Sequence, residues 1–239
     1  MTALSNLAAL IPIGYLSGSI PFGLLVGLAK GKDPRQHGSG NIGATNVGRL
    51  FGGKYFALVF ALDLLKGLLP VLAAGWAARA ELNKSGHPPD WEIYLLWLMV
   101  GFAAVAGHMF SLFLKFKGGK GVATSLGVAI GVFPYFTIAG GISIVVWLMV
   151  FLIRRYVSLA SMVASASFSG AYVAIAWYNG WQPFTRQLPL FVFAMLVPGL
   201  IVIRHRSNIA RLLAGTENRF ASRSTVKGGT GAAGKISEQ

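Results

Sequence analysis

Residues 121–153 read GVATSLGVAIGVFPYFTIAGGISIVVWLMVFLI, 33 residues without a charge. A helix needs roughly 20 residues to cross a hydrocarbon core about 30 Å thick, so this run is long for one crossing and short for two. Gly131, Pro134, Gly140 and Gly141 offer a turn near its middle. On either side stand further apolar runs: Met1 to Ala29, Tyr55 to Ala78 (broken only by Asp63 and Lys66), Ile93 to Leu114, Tyr156 to Tyr178 and Gln187 to Ile203. Runs of this length, with no ten-residue alternation, specify helices and exclude a barrel, because backbone polar groups in lipid must be satisfied within the segment.

The basic residues decide between one crossing and two, since cytoplasmic loops collect Lys and Arg. If residues 121–153 form a hairpin, the chain crosses seven times with its N-terminus outside and its C-terminus cytoplasmic. Seventeen basic residues then face inward, Arg79, Lys84 and Arg186 face outward, and Lys66 stays in the membrane. A single crossing would put Arg154, Arg155 and the basic tail outside, leaving nine inward and eleven outward. The sequence therefore predicts an all-α integral membrane bundle of seven transmembrane helices. Residues 1–220 make one domain, and 221–239, rich in Gly, Ser, Thr and Lys without periodicity, are expected to be a disordered tail.

Composition agrees. Of 239 residues 54% are apolar and only 12% charged, against roughly 25% charged in a soluble domain. The net charge is +14 and there is no cysteine, which removes disulfides, thiolate metal sites and cysteine nucleophiles. The first apolar run lacks a basic leader and an obvious cleavage site, so it is expected to remain as helix 1. Asn83-Lys84-Ser85 has the form of a glycosylation acceptor and is read as a chance match.

In this topology three polar segments share the cytoplasmic side. The first, His37-Gly-Ser-Gly-Asn-Ile-Gly-Ala-Thr-Asn-Val-Gly-Arg49, contains a formal G-x-G-x-x-G at Gly38, Gly40 and Gly43. The dinucleotide reading fails, because that motif needs a strand before it and a transmembrane helix precedes it here. The physics remains: glycines can free backbone N–H groups for an anion, Ser39, Asn41, Thr45 and Asn46 add donors, and Arg49 shares a helical face with Thr45 and Asn46. The second segment, Lys117-Gly118-Gly119-Lys120-Gly121, is not a Walker A motif but could form an anion nest at a helix start. His108, one turn earlier, reads as a core histidine bonded to a backbone carbonyl. The third, Arg204 to Asn218, sets His205 and Asn208 three residues apart and places Arg204, Asn208 and Arg211 on one stripe. Each segment alone also reads as an ordinary basic membrane-surface loop. Together they suggest a place for two phosphate-like groups, with Asp63 and Lys66 as a structural tie beneath the first loop.

These residues resemble the PlsY-type acyl-phosphate:glycerol-3-phosphate acyltransferases of bacterial membranes. The likeness is carried by SGSIPFG (17–23), GSGNIGATNVGR (38–49), DLLKG (63–67), GHMFSLFLKFKGGKGVAT (107–124) and RHRSNIARLLAGTENRF (204–220), in the family's order across most of the chain. Only the Ala78 to Glu92 loop and the tail after Phe220 look unlike it. The resemblance implies acyl transfer from acyl phosphate to the 1-hydroxyl of glycerol 3-phosphate, giving lysophosphatidic acid and phosphate, the first step of membrane phospholipid synthesis. It implies a multi-pass protein of the bacterial inner membrane, working as a monomer, with its active site on the cytoplasmic face.

Carried over by motif, Ser39, Asn41, Thr45, Asn46 and Arg49, with Gly38, Gly40 and Gly43, would hold the acyl phosphate, with Lys120 reaching the same charge. Gly118, Gly119 and Gly121 would bind glycerol 3-phosphate. His205 and Asn208 would be the essential pair of the third segment, and Glu217 a supporting residue. Phosphate is already a good leaving group, so no metal, cofactor or acyl-enzyme is required. The proton of the attacking hydroxyl could go to His205 or to the phosphate. None of the four histidines has an Asp five residues later, which argues against acyl-CoA enzymes built on a His–Asp pair. An organic-phosphate transporter would show related halves and polar groups at mid-membrane instead. A nucleic-acid binder would interleave aromatics with its basic residues, which these loops do not.

Overall fold

The computed structural model describes residues 3–85 and 91–220, which fold into α-helices joined by turns and by two longer loops, 30–43 and 110–121. They are α1 (Ala3–Ser19), α2 (Phe22–Ala29), α3 (Ala44–Phe51), α4 (Gly53–Ser85), α5 (Trp91–Met109), α6 (Val122–Gly131), α7 (Thr137–Arg154), α8 (Val157–Tyr178), α9 (Leu188–Arg204) and α10 (Arg206–Leu213). The predicted tail lies outside the described residues. Much of the region expected as a loop between Ala78 and Glu92 is helical, since α4 continues to Ser85 and α5 starts at Trp91.

Among the described residues, Leu4–Ala29, Gly53–Arg79, Trp91–Leu114, Thr137–Arg154 and Val157–Tyr178 are each long and apolar enough to cross a bilayer. α9 joined to α10, bent by 56°, makes a sixth. The ambiguous run does break near Pro134, but unequally. α6 has ten residues and α7 has 18; at 1.5 Å per residue the shorter limb spans only about 15 Å. The start of α6 and Trp147 of α7 line the same cleft, so the chain leaves the cleft along α6 and returns along α7. Phe136 holds the turn: it is fully buried, with its ring against Phe168 and Tyr172 of α8 and Phe193 of α9. The hairpin expected from the sequence thus has one short limb and one of full length. One face of α6 is buried mainly against α4, with Gly127 against the Leu64 carbonyl and Gly131 against Val71.

Small residues let the helices approach, as they do where lipid supplies no hydrophobic drive between helices. α1 packs most extensively on α5, and Gly14 and Gly18 sit where any β-carbon would strike the backbone of Val100 or Ala104. Helix 1, expected as one continuous span, is interrupted at Ile20-Pro21, because Pro21 has no N–H to give. At the break the Ile20 carbonyl accepts from the Phe22 amide at 3.1 Å and from Lys66 Nζ at 2.7 Å. Lys66 also pairs with Asp63 at 2.8 Å, both side chains being nearly inaccessible, and Ser17 Oγ donates to the Lys66 carbonyl at 3.0 Å. The expected tie is present: one buried ammonium joins α4 to the broken first span.

Replacing Lys66 with Ala removes the partner of a buried carboxylate, a change that costs about 3–5 kcal/mol in comparable sites. We expect a large drop in the melting temperature of the Lys66→Ala protein in detergent, and substantial recovery in the double variant Asp63→Leu, Lys66→Met. A Lys66→Ala protein as stable as the wild type would remove the tie from the account.

Candidate active site

All three polar segments meet in one cleft at the end of the bundle where α3, α6, α8 and α10 begin. It is lined by Ser39, Asn41, Gly43, Thr45, Asn46 and Arg49 from the first segment, Lys120 and Gly121 from the second, and His205, Asn208 and Glu217 from the third. Gly38, Gly40, Gly118 and Gly119, expected as ligands, do not line it.

The first segment is organised by Asn46, which is buried. Its Nδ2 donates to the carbonyls of Pro34, His37 and Asn41 at 2.9, 3.0 and 2.9 Å, and its Oδ1 accepts from the Ser39 amide at 2.9 Å. The Gly43 amide donates to Asn41 Oδ1 and the Gly40 amide to the His37 carbonyl. The Ser39, Gly40 and Gly43 amides are therefore taken up within the loop, as buried backbone polar groups must be, and are not free for an anion. Gly38 lies at φ +64°, with any β-carbon falling on Asn46 Oδ1, so glycine is needed there for close packing. What faces the cleft is Ser39, Thr45, the start of α3 and Arg49. The Arg49 Nη2 donates to the Asn218 carbonyl at 3.0 Å while its Nε is buried without a partner. Burial holds this guanidinium below its ordinary pKa, with Glu217 acting in the opposite direction.

The second segment is corrected in the same way. The Gly118 and Gly119 amides donate to the carbonyls of Met109 and His108 at the end of α5, at 3.1 and 3.0 Å. Arg204 binds the opposite side of the turn, its Nη2 donating to the Gly118 and Gly119 carbonyls at 3.0 and 3.1 Å. The turn is a splice between α5 and α9 rather than an open nest. The helix start that faces the cleft is the next element along: α6 follows Gly121, which lies in the left-handed region at φ +85°, and its first residues have no side-chain cap and line the cleft. A helix start of this kind favours negative charge.

Lys120 and the third segment form one hydrogen-bonded chain. Lys120 Nζ donates to Asn208 Oδ1. Asn208 Nδ2 donates to Glu217 Oε1 at 2.7 Å, and Ser158 Oγ donates to the same oxygen at 2.7 Å. Arg211 Nε takes the other carboxylate oxygen at 2.7 Å. Burial works to raise the Glu217 pKa, but the bonds from Ser158, Asn208 and Arg211 prevail and hold it below the usual range. Burial lowers Lys120 to about 8, with Glu217 opposing and Arg211, Arg49 and Arg204 adding to the fall. His205, at the bend between α9 and α10, bonds the Ile201 carbonyl through Nδ1 at 2.8 Å. That fixes its tautomer and leaves Nε2 as the ring's other polar atom. Burial and the Lys120 charge lower it to about 4, so the ring is neutral near pH 7.

Some lining residues were not expected from sequence. Ser158 and Ser161 come from the first turns of α8, next to Arg154-Arg155, a stretch read for its charge alone. Phe56, Phe60 and Asp63 lie along one face of α4, and Trp147 faces them from α7, bonding Ser161 Oγ at 3.2 Å. The i, i+4, i+7 spacing of the α4 residues was a usable signal. His108, expected to bond a backbone carbonyl, instead turns toward Asp63, with Nδ1 3.7 Å from Oδ1. The cleft thus has a cationic mouth and an aromatic wall between α4 and α7.

An all-helical membrane protein with a polar, cation-rich cleft open beside an apolar wall belongs to the class that handles amphiphiles with anionic head groups. The chain is a member of a defined family: the glycerol-3-phosphate acyltransferase family model matches residues 8–215. It is 44% identical over 211 residues to the glycerol-3-phosphate acyltransferase of Aquifex aeolicus, covering 88% of this chain and 97% of that one. It is 40% identical over 222 residues to the enzyme of that name from Bordetella pertussis, covering 92% and 95%. Among solved structures it resembles the glycerol 3-phosphate form of PlsY, an integral membrane glycerol 3-phosphate acyltransferase, with a TM-score of 0.73 and 42% identity over 90% of this chain and 96% of that one. The lysophosphatidic acid form of PlsY aligns with a TM-score of 0.71 and 41% identity, with the same coverage.

Asn46→Ala would leave the Pro34 and Asn41 carbonyls without a donor and the Ser39 amide without its acceptor. At about 1–3 kcal/mol for each buried group left unsatisfied, we expect a fall in melting temperature together with loss of activity. Thr45→Ala, at the cleft surface, should keep wild-type stability. Equal melting temperatures for Asn46→Ala and wild type would mean that Asn46 does not organise the loop.

Proposed function

We propose that this protein transfers a fatty acyl group from acyl phosphate to the 1-hydroxyl of glycerol 3-phosphate, producing lysophosphatidic acid and phosphate as the first step of membrane phospholipid synthesis. It does so as a monomer in the bacterial inner membrane, crossing seven times with α6 as the short limb, the N-terminus outside and the cleft on the cytoplasmic face. The observation that carries the reading is the juxtaposition in one cleft of Arg49, Lys120 and the uncapped start of α6 with the aromatic wall of Phe56, Phe60 and Trp147. An acyl phosphate needs both environments at once: cations for its head and an apolar exit for its chain. The PlsY forms with glycerol 3-phosphate and lysophosphatidic acid support the acceptor and the product. The distribution of basic residues supports the orientation.

In the transfer the glycerol oxygen attacks the acyl carbon, the bond from that carbon to the bridging phosphate oxygen breaks, and the hydroxyl proton must go to a base. The acyl phosphate dianion and a neutral hydroxyl give a neutral ester and hydrogen phosphate dianion, so charge and protons balance when the departing phosphate takes the proton. His205 is a poor competitor for it, held to about 4 by burial and Lys120. His205 Nε2 orients the hydroxyl, while Arg49, Lys120 and Ser39 stabilise charge on the phosphate as the bond breaks. Asn208 and Glu217 hold Lys120 in place. Asn46, Gly38 and Gly40 shape the first loop, and Gly118 and Gly119 join α5 to Arg204 of α9. Much of the barrier reduction comes from holding two anions together in one orientation.

The direct test uses purified protein in lipid with palmitoyl phosphate or palmitoyl-CoA and labelled glycerol 3-phosphate. Equal amounts of phosphate and lysophosphatidic acid from the first donor and nothing from the second are expected. Product from the CoA donor would overturn the donor assignment, and glycerol 3-phosphate uptake without any acyl donor would favour a transporter. Arg49→Ala should lower kcat by about 100-fold or more, the size of effect seen when one charge-stabilising donor is removed.

The pH dependence follows from Lys120. A lysine lowered to about 8 is charged below that pH and neutral above it, so kcat/KM, which reports free-enzyme groups, should fall as pH rises through about 8. In Lys120→Arg the charge persists, and the alkaline fall should disappear even if the rate is lower. An unchanged alkaline limb would exclude Lys120 as its source.

A further inference from the structure

We infer that Phe220 is the gate through which the fatty chain of the donor passes between the bilayer and the cleft. The inference rests on the acyl phosphate proposed above. A donor dissolved in the bilayer has to bring its chain in sideways, because passage through the aqueous mouth would expose the whole chain to water. The structure offers a side entrance. α4 packs mainly against α1, α3, α5 and α6, whereas α7 packs against α8 and α6, so the two helices that carry the aromatic wall are not closed on one another by helix packing. Leu58 of α4 and Leu148 and Leu152 of α7, sequence neighbours of the wall residues or of Phe151, are exposed apolar residues, as expected where both spans face lipid.

The gap between these helices is bridged by a row of five rings. Trp147 stacks on Phe151 of α7 at 5.0 Å between centroids, and Phe151 meets Phe220 edge-on at 5.9 Å. Phe220 meets Phe56 edge-on at 6.3 Å, and Phe56 stacks on Phe60 of α4 at 5.9 Å. Four of these rings belong to α4 or α7. Phe220 belongs to neither; it arrives on the segment that leaves α10 and is the link that joins the two sides.

The hold on this segment changes at Glu217. Glu217 is buried and fixed by Ser158, Asn208 and Arg211. The three residues after it are held at the surface. The Asn218 carbonyl accepts from Arg49 Nη2 at 3.0 Å, Arg219 Nε donates to the Tyr156 hydroxyl at 3.0 Å with its guanidinium over that ring, and the Phe220 amide donates to the Arg155 carbonyl at 2.8 Å. Bonds at the surface exchange readily for bonds to water, so Phe220 can swing aside while Glu217 keeps Asn208 and Lys120 in place. A fatty chain entering the gap covers the apolar surface that the ring leaves, whereas water does not. The gate therefore opens to lipid and stays shut to water, which would hydrolyse an acyl phosphate.

The chain has no cysteine, so a reversible lock tests the gate. In the double variant Tyr156→Cys, Arg219→Cys, a bifunctional methanethiosulfonate long enough to span the pair ties the segment shut, leaves Phe220 intact and is removed by dithiothreitol. In lipid, the tied protein should transfer acyl groups from palmitoyl phosphate more slowly by about tenfold or more and recover on reduction. Its dissociation constant for glycerol 3-phosphate should stay the same throughout, and a monofunctional methanethiosulfonate should not slow transfer. Phe220→Gly removes the ring. Transfer should persist in that variant, with added release of phosphate unaccompanied by lysophosphatidic acid as water enters. Full activity of the tied protein would overturn the gate. So would a Phe220→Gly protein that loses transfer while binding glycerol 3-phosphate normally, since the ring would then be a fixed wall. Failure of the wild type to use palmitoyl phosphate at all would instead remove the parent reading. The association rate of hexadecyl phosphate, slowed about tenfold by the tie if the gate exists, would then decide it alone.

Discussion

The Glu217 carboxylate is the point on which the site depends. It takes hydrogen bonds from Ser158, Asn208 and Arg211, and through Asn208 it fixes Lys120. Four cationic side chains, Arg49, Lys120, Arg204 and Arg211, are gathered at or beside the cleft at one end of the bundle. Like charges held this close in a medium of low polarity repel strongly. One buried carboxylate among them offsets part of that repulsion without occupying the place where a phosphate would sit. Because Glu217 reaches α8, α10 and the start of α6, the three segments cannot separate without leaving a buried charge unpaired.

A second constraint acts at the floor. Pro21 breaks the first span, and the backbone groups at the break need partners inside the membrane. The Ile20 carbonyl takes the Phe22 amide and the Lys66 ammonium, and Lys66 is itself neutralised by Asp63. A local defect in α1 is thereby converted into a polar layer beneath the cleft, to which His108 also turns. The same residues that allow the chain to break inside the membrane give the cleft its depth.

Glycine has two uses here, and the sequence does not distinguish them. Runs such as Gly38-Ser-Gly and Gly118-Gly119 suggest open backbone N–H groups, yet the amides at Ser39, Gly40, Gly118 and Gly119 are bound within the protein. Their glycines serve close approach, as Gly14 and Gly18 do between α1 and α5. Whether an amide is free depends on which carbonyl or side chain meets it, and for these turns the partners are Asn46 and the last carbonyls of α5.

The sequence by itself determined the helical membrane class, the existence of a break near Pro134, the Asp63–Lys66 tie and the three segments that supply the cleft. These follow from hydropathy, charge asymmetry and local spacing, which are properties of short stretches of chain. Only the tertiary structure decided that α6 is a short limb, that Asn46 is a clamp, that the helix start at Val122 and not the preceding turn faces the cleft, and that Phe56, Phe60, Trp147, Ser158 and His108 belong to it. Each of these depends on contacts between residues far apart in sequence, and the partner that satisfies a buried polar group is chosen by packing.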